Sequence, residues 1–212
     1  MSEQQLKTGT TTVAIVCKDG IILGADRRAT AGDFIVNKDT TKIHNISDDM
    51  ALTMAGTVSD VQLLIKYIKA QIRLKRVRST RELSVQETAN LLAGMVYDNI
   101  RKFSAIPGVS HFLLGGKDGA GFHVYDIYPD GSISDVKDYV SSGSGSIFAY
   151  GVLETLYAKN CSIDEGVKLV LKALNAAVQR DAMSGSGFDV VKITKDGIQK
   201  VMGKQLEVKV EA

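Results

Sequence analysis

The chain reads as an α+β protein: a four-layer αββα sandwich of two mostly antiparallel sheets flanked by helix pairs. Three observations predict it. The elements run strands, two helices, strands, two helices, strands, and paired helices between sheet halves fit two packed sheets with a helix layer on each outer side. Strands and helices do not alternate one by one, as βαβ units would. No Gly-rich phosphate-loop motif opens a helix, so a nucleotide site has little support. The 212 residues, with two prolines and no low-complexity linker, suit one domain around a sizeable core.

Thr11 to Cys17 and Ile21 to Ala25 are strand-like runs joined by Lys18-Asp19-Gly20, a hairpin signal. Phe34 to Val36, Lys42 to Ile46 and Ala51 to Ala55 follow as short strands. A helix is then predicted from Val58, Val61, Leu64, Ile65, Ile68 and Ile72, with Thr57 and Asp60 as its capping pair. A second opens on the capping box Ser84-Val85-Gln86-Glu87, and its apolar stripe runs through Ala89, Leu92, Met95, Val96 and Ile100. Ile106-Pro107-Gly108 closes that half.

"HFLLGG" and "GFHVYDI" form the next hairpin, "YPDG" is a turn, and "DYVSSGSGS" leaves a strand in a Gly/Ser loop. Ile147 to Lys159 is the third helix. Ser162-Ile163-Asp164-Glu165 caps the fourth, whose buried face is Val167, Val170, Leu171, Leu174 and Val178. Two strands around Lys195-Asp196-Gly197 end the chain.

A formal net charge of +2 gives no reason to expect nucleic acid or a membrane surface as partner. No apolar run approaches the ~20 residues of a membrane span. The opening "MSEQQLKTG" lacks the apolar core of a secretory signal, so a cytoplasmic location is expected. Cys17 and Cys161 read as free thiols, and His44, His111 and His123 show no ligand spacing. Neither a metal nor another cofactor is expected.

The informative stretch is "KTGTTTV", Lys7 to Val13. Threonine suits strands, which explains crowded threonines without any chemistry. The alternative is a nucleophile. A hydroxyl needs a base beside it, and no histidine offers one in a Ser-His-Asp arrangement. An N-terminal threonine supplies its own α-amine, with a pKa of about 7.7–8.0. Cutting between Gly9 and Thr10 would expose that amine and start the chain "TTTVAIV". Until then the nitrogen is an amide and no base. Glycine before the cut permits strained backbone that brings the hydroxyl onto the preceding carbonyl. The Gly9-Thr10 pair alone leaves both readings open; on the second, residues 1–9 would be a prosegment and 10–212 the catalytic domain, with Thr11 and Thr12 simply strand.

"TTTVAIVCKDGIILGADRRAT" resembles the mature start of a proteasome β subunit of the archaeal type, in the N-terminal-nucleophile hydrolase family. The resemblance continues through "NKDTTKIHNI", "ALTMAGTVSDVQLL", "VSSGSGSIFAYGVLE", "SIDEGVKLVLKAL" and "QRDAMSGSGFDVVKI", in family order and over nearly the whole chain from Thr10. It implies Thr10 as nucleophile, Lys42 beside it, and Asp26 holding Lys42. Lys42 would lower the hydroxyl's pKa by its field. It implies Gly56 as backbone oxyanion donor, at a helix start that favours negative charge. It implies Ser144, Asp181 and Ser184 around the threonine amine. Substrate would lie extended along Thr30, Gly56 and Val58. Its first pocket maps to Ala29, Thr40, Met54 and Val58, roomy and apolar, for cleavage after hydrophobic residues.

The family further implies other β subunits in a seven-membered ring, flanking α-subunit rings, an ATP-dependent unfoldase outside, and unfolded polypeptide as substrate. Tyr128 departs from the pattern, since many members carry an acidic residue there that shapes a neighbouring subunit's pocket. "IRLKRVRSTR" reads as a solvated helix end rather than a ring contact. Two other readings are a non-catalytic ring subunit and another N-terminal-nucleophile enzyme, either an amidase or the simpler bacterial ring peptidase. Loss of the nucleophile, lysine or processing glycine would mark the first, and none is lost here. The bacterial enzyme normally lacks "RDAMSG".

Overall fold

The computed structural model describes residues 9–205. The expected prosegment thus falls, apart from Gly9, outside the described residues. Strand β1 (Thr12–Cys17) turns at Lys18-Asp19 into β2 (Gly20–Asp26), with Cys17 opposite Gly20, as the hairpin signal predicts. A small hairpin, β3 (Ala29–Ala31) and β4 (Phe34–Asn37), leads to β5 (Ile43–Asn45) and β6 (Met50–Gly56). Helices α1 (Val58–Ser79) and α2 (Val85–Arg101) follow, then β7 (Ser110–Asp118), β8 (Gly121–Ile127), β9 (Ile133–Val136) and β10 (Tyr139–Ser142). Helices α3 (Ser146–Leu156) and α4 (Ile163–Arg180) precede β11 (Gly187–Thr194) and β12 (Gly197–Gln205).

One five-stranded sheet runs β10-β1-β2-β11-β12 and the other β5-β6-β7-β8-β9, every pairing antiparallel. Alternation along the strands builds the layers. In β1, Val13 and Ile15 pack under Leu153, Val170 and Leu174 of α3 and α4. Ala14, between them, faces the other sheet with Leu23, Ala51, Leu113 and Val124. The outer face of the second sheet, including Leu52, Phe112 and Leu114, is covered by Ile68 of α1 and Leu92 of α2. Helix pair, sheet, sheet, helix pair is the four-layer sandwich expected.

Both predicted capping boxes close: Ser84 accepts from Glu87 N–H and Ser162 from Glu165 N–H, while each glutamate returns to the cap backbone. Four details differ. Thr57 begins α1 without a side-chain cap bond, because its hydroxyl donates to Pro107 O at 3.5 Å and Asp60 is drawn to Lys102. Helix α3 stops at Leu156, where Tyr157 turns extended. The fully buried stripe of α4 is Leu169, Val170, Ala173, Leu174 and Ala177, so Val167, Leu171 and Val178 lie on its flank. Small alanines let α4 approach the sheet, and an apolar count does not see them. Strand β3 is too short to show a period.

Candidate active site

The site lies where β1, β2 and β5 reach one end of the sandwich. Thr10 is buried just before β1, and the Asp26 N–H at the end of β2 donates to Thr11 O at 3.1 Å. That pairing places the Asp26 carboxylate beside the threonines. It is wholly buried and fully used: Oδ1 accepts from Thr11 N–H at 2.9 Å and Lys42 Nζ at 2.7 Å, and Oδ2 from the N–H groups of Arg28 at 3.0 Å and Gly185 at 2.9 Å. Four donors match the four acceptor positions of a carboxylate.

Lys42, on the segment entering β5, is 3% exposed. Its three N–H groups have three oxygens in reach: Asp26 Oδ1, Thr10 Oγ1 at 3.1 Å and Gly9 O at 3.4 Å. Burial pulls its ammonium below the usual lysine range, and the Asp26 carboxylate pulls the other way without cancelling it. The lysine is thus both anchored and able to give up its proton more readily than a surface lysine. The Thr10 hydroxyl donates to Gly9 O at 2.6 Å and accepts from Lys42.

A second set of groups holds the other side of Thr10. Its N–H donates to Ser144 Oγ at 3.2 Å, and Ser144 donates to Asp181 Oδ2 at 2.6 Å. Ser184 donates to the same oxygen at 2.6 Å, so the 2.7 Å contact between Ser184 and Thr11 is a bond from the Thr11 hydroxyl. Asp181 caps α4, with its N–H on Ala177 O. The Gly/Ser loop and the helix end thereby converge on one carboxylate.

Gly56 ends β6 with φ +120°, and a Cβ there would lie 2.2 Å from Val109 O, so only glycine fits. Ala29, Thr30, Thr40, Met54, Val58 and Gly56 all line one pocket with Gly9, Thr10 and Lys42. The pocket also includes Arg28 and Val61, which the sequence reading leaves out. With Gly9 among its lining residues, its cavity volume is about 20 Å³, enough for one water. It is not wholly apolar, for the Thr40 hydroxyl oxygen is buried without a partner. The Thr30 hydroxyl accepts from Gly9 N–H at 3.0 Å.

All seven residues expected around the reaction, and all five expected to touch substrate, therefore converge on one end of the fold. Two contributions escape sequence reasoning. Thr11 lies outside β1 and hydrogen-bonds to Asp26 by its N–H and Ser184 by its hydroxyl, whereas Thr12 is the strand residue expected. Met183 is the wall behind Gly9: a Cβ on Gly9 would fall 1.8 Å from Met183 Cβ. Glycine is needed there for space. Nothing in the spacing signals either contact. Tyr128 sits on the turn after β8, its ring 5.3 Å from His111, which bonds Asp126 at 2.6 Å.

Among the described residues no helix is long and apolar enough to cross a membrane, and no cluster of three His, Cys, Asp or Glu side chains could hold a metal. A family model described as "Proteasome subunit" matches residues 6–193. A proteasome subunit beta from Archaeoglobus fulgidus is 40% identical over 207 residues, covering 98% of this chain and 95% of that protein. One from Ferroglobus placidus is 39% identical over 211 residues, covering 100% and 99%. One from Methanothermobacter thermautotrophicus is 37% identical over 212 residues, covering 100% and 99%.

Proposed function

The chain belongs to the proteasome subunit family, and from that premise we propose that it is a threonine endopeptidase of a proteasome core, made active by its own cleavage at Gly9–Thr10. The observation that carries the reading is the position of Lys42 Nζ, 2.7 Å from Asp26 and 3.1 Å from Thr10 Oγ1 in a buried site. An ordinary ion pair would leave the hydroxyl out.

In the uncut chain, Lys42 that has given up a proton acts as base and takes the Thr10 hydroxyl proton as Oγ1 attacks the Gly9 carbonyl carbon. The acyl group moves from nitrogen to oxygen, and the nitrogen gains a proton. Water then hydrolyses the ester, releasing a new carboxylate at Gly9 and a free amine on Thr10. In the cut chain Oγ1 attacks a substrate carbonyl instead, with the Gly56 N–H facing the developing oxyanion. Ser144, Asp181 and Ser184 orient the amine, which protonates the leaving nitrogen and later activates water. Support for a substrate path along Thr30 comes from Gly9, which already touches Thr30 and lines the pocket. The reading extends to β rings between α rings in the cytoplasm, fed with unfolded polypeptide by an ATP-dependent unfoldase.

Intact mass of the purified assembly tests it, beside Thr10→Ala. The parent should lose Met1 to Gly9 and hydrolyse peptides; the variant should keep all nine residues and be inert. Hydrolysis by Thr10→Ala would sink the assignment. An assembled but uncut and inactive parent would identify a structural ring subunit.

A further inference from the structure

At the opposite end of β1 from Thr10, Cys17 closes the strand, and Cys161 stands in the connection from α3 to α4. Both thiols are free and buried, with sulfurs 3.6 Å apart and Cys161 donating to Cys17. The backbones are already tied, since Lys18 N–H donates to Cys161 O at 3.1 Å. Forming a bond requires the sulfurs to close to about 2.05 Å while their main chains stay in place. Gly166 of α4 leaves room for the Cys17 sulfur, which a Cβ there would meet at 2.6 Å. None of these atoms belongs to the candidate active site.

We propose that Cys17 and Cys161 form an oxidation site, which hydrogen peroxide converts into a disulfide tying β1 to the head of α4. The Cys161 thiolate attacks the peroxide, breaking its O–O bond to leave a sulfenic acid and, after protonation, one water. Cys17 attacks that sulfur and displaces hydroxide, which takes up the Cys17 proton as a second water. Two thiols are oxidised and one peroxide is reduced. Peroxide enters at the turn before Cys161, where Ala158, Lys159 and Asn160 are exposed and Asn160 is left-handed at φ 64°. Burial pushes the Cys17 thiol up, so oxidation waits on opening of that turn and is slow.

The product joins two parts of the core cluster between the first sheet and α3–α4. It closes a loop spanning 144 positions, which constrains the unfolded chain. The expected result is a rise of about 10 °C in the unfolding midpoint, with unchanged peptide hydrolysis.

The test treats the full-length protein with hydrogen peroxide, denatures it, alkylates free thiols and digests it without reductant. A linked Cys17–Cys161 peptide should appear within one chain. Alkylatable thiols should fall from two per chain to none and return on reduction. Cys161→Ser should keep its midpoint on oxidation; Cys17→Ala and Cys161→Ala are made beside it in case a buried serine hydroxyl prevents folding. Thiols that stay alkylatable, sulfinic acids forming without a linked peptide, or links only between chains would each overturn the proposal. These readouts do not depend on the peptidase reading.

Discussion

The two sides of Thr10 are built from different materials. The Asp26–Lys42 side is a buried ion pair whose carboxylate is saturated by four donors. The Ser144–Asp181–Ser184 side is a relay of hydroxyls on one carboxylate, with Ser144 exposed and Asp181 half-buried. Removing a member of the first side strands a charge out of water. Removing the exposed Ser144 hydroxyl from the second lets water take its place, whereas Ser184 is buried. The buried side should therefore set whether the reaction proceeds at all, and the wetter side how well the nitrogen is aimed. The sides also meet electrically, since the Asp181 carboxylate favours the charged form of Lys42 from across the site and Arg28 opposes it.

Four measurements can break that division, taken from the largest effect to the smallest. Lys42→Ala should abolish cutting at Gly9 and lower kcat at least about 10³-fold in chains supplied already cut, while leaving KM nearly unchanged. Activity within tenfold of the parent would show that the ion pair is only structural. Asp26→Asn keeps the shape but leaves Lys42 without its counter-charge. It should cost about 3 kcal/mol of stability and about 100-fold in kcat, read by urea denaturation and steady-state kinetics. Ser144→Ala and Thr11→Val should each lower kcat about tenfold, with Thr11→Ser restoring most of it. A valine variant equal to the parent would return Thr11 to the role of a strand residue.

The smallest effect is a pH dependence. Lys42 has a lower pKa folded than unfolded, so between those two values the unfolded chain holds a proton that the folded chain has released. Stability must rise with pH across that window, and the gain is lost as pH falls through the folded value. In a Thr10→Ala background, which retains Gly9, the urea midpoint should climb as pH is raised toward 10.5, the ordinary lysine value. Adding Lys42→Met should remove that climb; an identical slope in both would mean that Lys42 is not held below its ordinary value.

Local signals made much of the fold legible. The boxes at Ser84 and Ser162 and the turns at Lys18-Asp19 and Lys195-Asp196 fix element starts within a few residues, because their hydrogen bonds close within the motif. Thr57 reads as well as Ser84 does, yet Pro107, 50 residues on, takes its hydroxyl. The site divides the same way. Gly9 and Thr10 stand out as neighbours, but Asp26 and Lys42 are 16 positions apart, one at the end of a strand of the first sheet and one at the entry to the second, and meet only through the packing of the two sheets, so the family pattern rather than local chemistry joins them. The Thr11 bond to Ser184 spans 173 positions and is masked by threonine's liking for strands.

The contact between Gly9 and Met183 sets a design rule for anyone rebuilding the start of this chain. Whatever segment is placed ahead of Thr10, the residue at position 9 meets a wall whose nearest carbon would stand 1.8 Å from any added Cβ. Replacing Met183 by glycine would not lift the rule, because the Met183 carbonyl oxygen and Cα would still stand 2.7 and 2.8 Å from that Cβ. The course of the main chain in the loop after α4 thus dictates what can be joined to the molecule at its other end.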